Sequence, residues 1–302
     1  MTGRYHTARA FRVALEARLK QVAQTRNLDL MRLRRQVAFD RLLARLFAVQ
    51  EPPWLLKGGY TFELRLGGDA ARATRDLDLS IPDLSRLASA DAPPLAIPSQ
   101  LIRESLRDAA ERDLQDGFVF RIGEPMADLD AAPYGGAHYP VEARLDVRPF
   151  ATFHLDVGIG DALVAPPEWL TGQDILNFAG IPPTRAAVLP REQQFAEKLH
   201  AYTLPHGERT NTRVKDLVDM TLLINMGLPD LDRTRQAVFA TFARRQTHAL
   251  PVDLNAPPAS WRLPYAALAA ECHLDQTNAD SAFAALATYY RTLDVTHSPP
   301  VP

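Results

Sequence analysis

The chain has 302 residues, of which 46% are hydrophobic and 23% are charged, as in ordinary globular proteins with a sizeable core. Its single cysteine, Cys272, excludes an intrachain disulfide framework and a cysteine-rich zinc site. A formal net charge of −2 gives no overall sign of a nucleic-acid-binding protein, although a local basic patch is compatible with it.

The distribution of apolar residues along the chain predicts a cytoplasmic protein. No apolar run reaches the roughly eighteen residues that a transmembrane helix needs. Residues 1–20 also lack the apolar segment of a signal peptide. The sequence contains neither an internal repeat nor a low-complexity block, so we expect compact globular domains rather than a repeat array.

The first part of the chain mixes helical and strand-like patterns. Helices are indicated by apolar residues at helical spacing, and strands by β-branched and aromatic residues. In chain order, the predicted elements are helices at 5–25 and 30–49, a strand at 54–56, a helix at 60–66, a strand at 77–81, a helix at 98–116, and strands at 118–124, 138–148 and 151–159. This pattern predicts a mixed sheet flanked by helices.

The second part of the chain is mainly helical. Residues 162–189 contain several prolines and predict a mostly irregular segment with one short helix at 172–178. Helices are then predicted at 191–203, 211–226, 230–247, 263–271 and 278–295. We therefore expect an α/β (α+β) protein with a sheet domain and N-terminal helices at 1–180, and a mainly helical C-terminal domain at 181–302.

Asp76 and Asp78 are the first candidates for a functional site. Aspartate is depleted in strands, yet these two lie two residues apart with leucines between and after them. On a strand this spacing places both carboxylates on one face and the leucines on the other. Because two like charges repel each other, a divalent cation is the usual reason for such a pair, and Mg²⁺ prefers hard oxygen ligands.

Asp156 is a candidate for a third carboxylate, since it also lies inside an apolar strand pattern. If that strand neighbours residues 77–81, three carboxylates converge. Three are sufficient for two metal ions about 3.5–4 Å apart, one activating an attacking oxygen and one stabilising a leaving pyrophosphate. Asp146, on the predicted preceding strand, is the alternative, and we place Asp156 ahead of it.

Gly58 and Gly59 follow the predicted buried strand at 54–56. Backbone N–H groups at such a position can approach a triphosphate closely because no Cβ intervenes. Taken alone, a glycine pair is usually only a turn, and an Asp-x-Asp pair often only marks a strand end. The combination of strand, glycine pair, helix and aspartate pair is more specific than its parts.

The lysines are few for a chain so rich in arginine. Among 34 Lys and Arg residues, the lysines are Lys20, Lys57, Lys198 and Lys215. Lysine is a compact point charge whereas arginine is a planar fork, so a retained lysine suggests a chemical requirement. Taken alone, four lysines are more simply leftovers in an arginine-rich composition. We give weight to Lys57, Lys198 and also Lys215 because of the motifs around them.

These motifs resemble those of the AbiEii-type nucleotidyltransferase toxins, including the mycobacterial MenT group, within the DNA polymerase β-like superfamily. The family pattern is a glycine pair followed by R-x-[S/T]-x-D-x-D, and the segment from Arg72 to Asp78 matches it at every position. A helix with a central lysine at Lys198, and an R-x-K-D-x-x-D-like segment from Arg213 to Asp219, are similar to two further family motifs. The resemblance covers residues 57–219.

The resemblance implies a Mg²⁺-dependent enzyme that transfers a nucleoside monophosphate from an NTP and releases pyrophosphate. It implies that Asp76 and Asp78 bind the metal and are catalytic, with Asp156 as the third ligand. Gly58 and Gly59 would bind the phosphates of the nucleotide. The implied fold is a nucleotidyltransferase-like mixed sheet flanked by helices, with a helical C-terminal half.

Five other residues receive roles from the same resemblance. Thr74 would bind the phosphates through its hydroxyl, and Lys57 and Arg72 would give electrostatic support at the nucleotide. Lys198 would bind the triphosphate and be catalytic by neutralising the charge that develops on pyrophosphate. Asp216 would be catalytic by orienting Lys198 or by helping to deprotonate the acceptor hydroxyl.

The resemblance also implies partners. Relatives add nucleotides, often pyrimidines, to the 3′ end of tRNA, so CTP or another pyrimidine nucleotide and tRNA are the expected substrates. A separately encoded cognate antitoxin is expected to neutralise the enzyme, as in other toxin–antitoxin systems. Arginines of both halves could contact an RNA backbone, although for any single arginine a solvated helix face is the simpler interpretation.

Three alternatives stay open at this point. The same fold could act on another acceptor, a small molecule or a protein hydroxyl. The chain could be a non-catalytic member that only binds RNA or a partner protein, although its intact carboxylates argue against this. A protein-modifying kinase of the toxin class would transfer the γ-phosphate, so α-labelled and γ-labelled ATP distinguish it from a nucleotidyltransferase.

Overall fold

The computed structural model describes residues 4–67, 70–87, 98–126, 132–207, 211–227 and 230–296. These residues contain nine α-helices and one seven-stranded mixed sheet. The helices are α1 (Ala8–Arg26), α2 (Leu30–Leu46), α3 (Gly59–Leu66), α4 (Pro98–Ala110), α5 (Arg191–Thr203), α6 (Val214–Asn225), α7 (Leu231–Arg245), α8 (Arg262–Glu271) and α9 (Ala279–Thr292). The predicted α/β architecture and the helical C-terminal half are confirmed.

The sheet has the order β3-β4-β5-β2-β1-β7-β6. Its strands are β1 (Leu55–Lys57), β2 (Leu77–Ile81), β3 (Phe118–Ile122), β4 (Gly136–Leu145), β5 (Arg148–Ile159), β6 (Glu168–Thr171) and β7 (Arg185–Val188). Strand β2 pairs with β5 in parallel and with β1 in antiparallel orientation, and β1 pairs with β7 in parallel. The strand at 77–81 therefore neighbours the Asp156 strand, as the sequence analysis required for converging carboxylates.

One face of this sheet is covered by helices. Residues alternate between buried and partly exposed along β4, as expected for a sheet with one packed face and one polar face. The ring of Phe39 on α2 lies 4.8 Å from that of Phe153 on β5, and Phe11 on α1 lies 6.4 Å from Phe118 on β3. The opposite face is left to polar side chains, and the candidate site lies there.

Helix starts are fixed by side-chain caps that the sequence supplies. Asp29 accepts hydrogen bonds from the backbone N–H groups of Met31 and Arg32 at the start of α2. Thr7, Asp230 and Asn278 cap α1, α7 and α9 in the same way. Each cap satisfies a backbone donor that the first helical turn leaves without an intrahelical partner.

The chain divides into two compact units. One comprises Met1–Gly67, Ala73–Gly160 and Trp169–Val188, and the other comprises Gly68–Arg72, Asp161–Glu168 and Leu189–Pro302. The first contains the sheet apart from Glu168, and the second contains helices α5–α9. Each unit consists of three separate segments of the chain, so neither unit corresponds to one continuous range. The predicted division into 1–180 and 181–302 stays a prediction. Among the described residues, no helix combines the length and apolarity needed to cross a membrane.

The segment at 162–189 is mostly irregular, as expected, but it also contains two short strands that the sequence analysis missed. This segment contributes β6 and β7 to the sheet, and the expected helix at 172–178 is only a short 3-10 turn at Asn177–Ala179. Each strand has four residues, and β7 (Arg-Ala-Ala-Val) contains alanines, which are depleted in strands. β7 is a strand because Leu56 of β1 pairs with its Val188, a partner that local sequence does not reveal.

The expected position of Asp146 on a strand was wrong. β4 ends at Leu145 and β5 begins at Arg148, so Asp146 and Val147 form a two-residue turn with φ angles of 51° and 54°. Positive φ at both central residues is the geometry of a tight hairpin turn. The predicted helix at 98–116 likewise ends earlier, at Ala110.

A buried ion pair ties α2 to the segment before β3. Arg45 donates to both carboxylate oxygens of Asp116 at 2.9 and 2.7 Å, and each side chain is only 1% exposed. Asp116 also accepts from the backbone N–H of Phe118 at 3.0 Å. A buried guanidinium requires such a partner because desolvating an unpaired charge is costly.

Asp116→Ala is expected to lower the free energy of unfolding by about 3–5 kcal/mol, because it leaves the Arg45 charge buried without its carboxylate. Urea denaturation followed by circular dichroism measures the change. The control is Glu124→Gln, whose side chain is 74% exposed and pairs with Arg103 at 2.8 Å, and which should cost less than about 1 kcal/mol. Equal losses in the two variants would contradict this account.

Candidate active site

A row of four polar residues crosses the uncovered sheet face. The strand register pairs Lys57 with Asp78, Asp78 with Asp156, and Asp156 with His138. Side chains at paired positions of neighbouring strands lie on the same face of a sheet. The alternate residues Leu77 and Leu79 are fully buried on the other face, so this row faces away from the helical core.

Asp76 lies two residues before Asp78 and immediately before β2. The backbone N–H of His154 donates to Asp76 Oδ1 at 3.3 Å, and the imidazole Nδ1 of His154 lies 3.3 Å from the same oxygen. The Asp76 side chain is 44% exposed. The carboxylate is therefore held at the edge of the site by one residue of β5 while staying accessible to solvent.

Asp156 is the more enclosed carboxylate, with a side chain 21% exposed. Its Oδ1 forms a hydrogen bond with Nδ1 of His138. Burial raises the pKa of Asp156, His138 opposes this through its hydrogen bond and charge, and the nearby negative charge of Asp76 adds to the increase. The two aspartates are thus close enough to influence each other electrostatically, which is what a shared cation would relieve.

Gly58 lets the chain approach Asp78 closely. Its φ of +68° lies in the left-handed region that favours glycine, and a Cβ built there would lie 1.9 Å from Asp78 Oδ2. Helix α3 begins at the next residue, Gly59, and the Thr61 hydroxyl donates to the Gly58 carbonyl at 2.7 Å. The start of a helix directs backbone N–H groups outward, so this turn has the features of an anion-binding position beside the carboxylates.

Thr74 fixes the backbone that carries Asp76. Its hydroxyl donates to the carbonyl of Asp76 at 3.2 Å, and its backbone N–H donates to Glu63 Oε1 at 3.0 Å. Glu63 is 1% exposed and also accepts from Gln36 Nε2 at 2.5 Å. The hydroxyl that the sequence analysis assigned to phosphate binding is engaged here in holding the loop.

The second unit contains a separate charged cluster around Asp219, which is fully buried. Arg72 donates from Nε and Nη2 to the two Asp219 oxygens at 2.8 Å each. Lys198 Nζ lies 2.9 Å from Asp219 Oδ2 and 3.0 Å from Asp216 Oδ1. Although burial alone would raise it, the charges of Arg72 and Lys198 bring the pKa of Asp219 down to about 2.

The predicted residues therefore fall into two groups. The first unit brings together Asp76, Asp78 and Asp156 with Lys57, Gly58, Gly59 and Thr74, and the second brings together Lys198, Asp216 and Arg72. Asp146 is not part of either group, because its turn lies eight residues along the chain from His138, roughly 25 Å at the rise of a strand. Of the two candidate third carboxylates, Asp156 is the one beside Asp78.

Four residues with contacts to these groups had no role in the sequence analysis: His138, His154, Glu63 and Asp219. The histidines are found only through strand register, because His138 precedes Asp156 by eighteen positions. Asp219 is the last residue of the R-x-K-D-x-x-D segment, so the motif included it. The motif did not indicate that Asp219 is completely buried, which is why no role was assigned to it. Glu63 is a buried acid on the short helix α3 and has no such sequence signal.

The donor set of the first group suits Mg²⁺. Carboxylate oxygens on Asp78 and Asp156, at paired positions of neighbouring strands, are the hard ligands that Mg²⁺ takes together with substrate phosphates. The Asp78 carboxylate occupies the space that a side chain at residue 58 would fill, so it lies directly against the turn at Gly58. Within the described residues, no group of three or more His, Cys, Asp or Glu side chains is arranged to hold a metal ion by itself. The residues fit an ion that is completed by a nucleotide.

Comparison with a solved structure supports the fold. The chain is similar to MenT4, a nucleotidyltransferase toxin from Mycobacterium tuberculosis H37Rv, with a TM-score of 0.58 and 18% sequence identity. The superposition covers 94% of this chain and 99% of that chain. No curated protein sequence matches this chain significantly.

A family model described as a nucleotidyl transferase AbiEii toxin of a type IV toxin–antitoxin system matches residues 41–288. The match covers most of the chain and includes every residue of both groups described above. The resemblance inferred from the motifs is thereby confirmed. The chain belongs to the AbiEii family of nucleotidyltransferase toxins of type IV toxin–antitoxin systems, whose members use an NTP and have an antitoxin partner.

Proposed function

We propose that this nucleotidyltransferase moves a nucleoside monophosphate from an NTP to the 3′ end of tRNA in the cytoplasm, with Mg²⁺ at its carboxylates. The observation that carries the metal-dependent reaction is the paired position of Asp78 and Asp156, beside the turn at Gly58. The tRNA acceptor and a preference for CTP or another pyrimidine nucleotide rest on the family resemblance. Addition at the 3′ end would block aminoacylation, which would account for toxicity.

Asp76, Asp78 and Asp156 would hold Mg²⁺. When bound, the ion would neutralise charge on the phosphates and favour ionisation of the attacking hydroxyl. The protein's own contribution is to hold the carboxylates in place: His138 hydrogen-bonds Asp156, and His154 hydrogen-bonds Asp76. Side chains held in this way need little rearrangement on substrate binding, which is favourable for catalysis.

Gly58 and Gly59 bind the triphosphate through backbone N–H groups at the start of α3, and Lys57 adds positive charge from the adjacent position of β1. Thr74 contributes by fixing the loop, through its bond to the Asp76 carbonyl. Arg72 gives electrostatic support at the nucleotide, as the resemblance implies, while its bidentate pair with Asp219 limits its movement.

Lys198 binds and neutralises the triphosphate, and Asp216 orients it. Two observations support these roles. The Lys198 ammonium lies 3.0 Å from Asp216 and 2.9 Å from Asp219. Although burial alone would lower it, the neighbouring carboxylates Asp219 and Asp216 raise the pKa of Lys198 above its ordinary value, so the amine stays charged.

With α-labelled NTPs, magnesium and bulk tRNA, the protein is expected to label tRNA, and γ-labelled ATP should label nothing. Each of the four NTPs is tested separately, and protein and small-molecule pools replace tRNA in parallel reactions. EDTA should stop labelling and added Mg²⁺ should restore it. Label in the protein or small-molecule pool would favour a different acceptor, and transfer of the γ-label would identify a kinase.

Gly58→Ala is expected to lower kcat by about a hundredfold or more, because the new Cβ displaces the Asp78 carboxylate, and misplacement by about 1 Å has an effect of this size. Gly67→Ala is the matched control. Its φ of +74° is equally strained, but a Cβ there meets no atom within 4 Å. Comparable losses of kcat in both folded variants would show that backbone strain, rather than the carboxylate, is responsible.

Lys198→Ala is expected to lower kcat by about 10²–10³, the usual cost of removing one group that stabilises transition-state charge. Lys20→Ala, an exposed lysine on α1 and outside the motifs, should keep full activity. Thermal unfolding of both variants is measured alongside to check that they fold. Lys198→Ala is expected to fold, because the buried Asp219 carboxylate keeps its pair with Arg72 when Lys198 is removed. Full activity in folded Lys198→Ala would remove Lys198 from the mechanism.

A further inference from the structure

A cavity of about 700 Å³ opens beside Asp76, and most of the strand residues that line it lie on the polar face of the sheet. It extends from the segment before β2 across β5 and β4 to the end of β3. Since neighbouring strands are about 4.8 Å apart, it spans about 10 Å between β5 and β3. We call this cavity the β3–β5 groove. Its volume is in the range of ligand-binding pockets, and none of the residues proposed above to bind phosphate lines it.

Three arginines line the β3–β5 groove: Arg35, Arg75 and Arg121. The Arg35 side chain is 17% exposed, its nearest carboxylate (Asp29) is 3.9 Å away, and its Nε is buried without a hydrogen-bond partner. Arg121 is 69% exposed and lies 4.0 Å from Glu142. These long distances leave the guanidinium groups able to bind an external anion.

The acidic residues of the groove do not cancel this positive charge. Glu142 accepts two hydrogen bonds from Arg144, at 3.0 and 3.1 Å, so its charge is already compensated. Asp76 belongs to the proposed metal site. Pro140 adds apolar surface, which suits a nucleobase. A groove lined by several arginines is one of the features expected of a site for a single-stranded nucleic acid, because positive charge follows the phosphate backbone.

The position of the groove relative to the phosphate turn indicates which substrate it takes. Gly58 lies on the β1 side of Asp78, and the groove lies on the β5 side of Asp76. In phosphoryl transfer the attacking and leaving oxygens lie roughly in line across the phosphorus atom. If pyrophosphate leaves toward Gly58, the attacking hydroxyl arrives from the side of the groove.

We propose that the β3–β5 groove binds the 3′-terminal nucleotides of the polynucleotide acceptor, with Arg35, Arg75 and Arg121 contacting its phosphodiesters. The proposal rests on the proposed function and specifies where its acceptor binds. The nucleoside of the NTP is a less suitable occupant, because its base and ribose carry no charge for three arginines to neutralise. A polypeptide acceptor has no regular backbone charge and fits less well for the same reason.

The test measures binding and transfer separately. Affinity for a short fluorescein-labelled single-stranded RNA is measured by anisotropy between about 50 and 200 mM salt, where each phosphate contact to a single strand contributes about 0.7 to the log–log slope. Arg121→Ala should reduce the slope by about 0.7 and Arg75→Ala/Arg121→Ala by about 1.4, if each arginine neutralises one phosphate. Arg9→Ala, an exposed arginine on α1, is the control and should leave the slope unchanged.

Calorimetry with each Mg–NTP complex and steady-state transfer to tRNA complete the test. In Arg121→Ala the acceptor KM should rise, while kcat and the Mg–NTP affinity stay as in the unsubstituted protein. Unchanged RNA affinity and slope in both variants would overturn the proposal. Weaker Mg–NTP binding with unchanged RNA binding would assign the groove to the nucleoside, and an effect confined to a protein acceptor would assign it to a polypeptide.

These outcomes are distinguishable from failure of the proposed function. If the unsubstituted protein transferred no label to any acceptor, the nucleotidyl transfer to tRNA would be wrong. The RNA-binding arm would still decide the groove, because it needs neither NTP nor turnover. Conversely, normal labelling of tRNA with RNA affinity that is insensitive to Arg75 and Arg121 would leave the function intact and remove the groove from it.

Discussion

The arrangement of this site depends on placing two negative charges, Asp78 and Asp156, at paired positions of neighbouring parallel strands. Like charges directly opposite each other destabilise a sheet, so the protein must compensate for them locally. It does so on both sides of the pair, with Lys57 at the paired position on β1 and a hydrogen bond from His138 on β4. A bound divalent ion would extend the same compensation to the substrate-bound state.

This compensation is possible because the sheet is covered by helices on one face only. Buried and partly exposed residues alternate in β4 and β5, so apolar side chains pack against the helices while polar side chains line the opposite face. The same alternation fixes the register, because a shift by one residue would exchange the two faces. Burial of Leu77, Leu79 and Leu155 therefore determines where the carboxylates point, and the core and the site are set by one pattern.

The features that the sequence could predict were those encoded by local spacing. The Asp76–Asp78 spacing implied one face of a strand, and the glycine pair implied close backbone approach. Contacts that depend on distant partners were not predictable in this way: β7 exists because it pairs with β1, and His138 meets Asp156 only through the hairpin. Asp146 was misplaced because its turn uses positive φ angles at Asp and Val, whereas a valine there looks like a strand residue.

The cluster around Asp219 limits what Lys198 can do chemically. Desolvation alone would favour a neutral amine, but two carboxylates, Asp219 and Asp216, lie within 3.0 Å of Nζ and their charges reverse the effect. An amine that stays protonated cannot accept a proton, so Lys198 is suited to neutralising phosphate charge and unsuited to acting as a general base. Because Asp216 Oδ1 is engaged with that ammonium, orienting Lys198 accounts for Asp216 better than deprotonation of the acceptor does. Activation of the attacking hydroxyl would then fall to the carboxylates of the sheet and to the Mg²⁺ that we propose they hold.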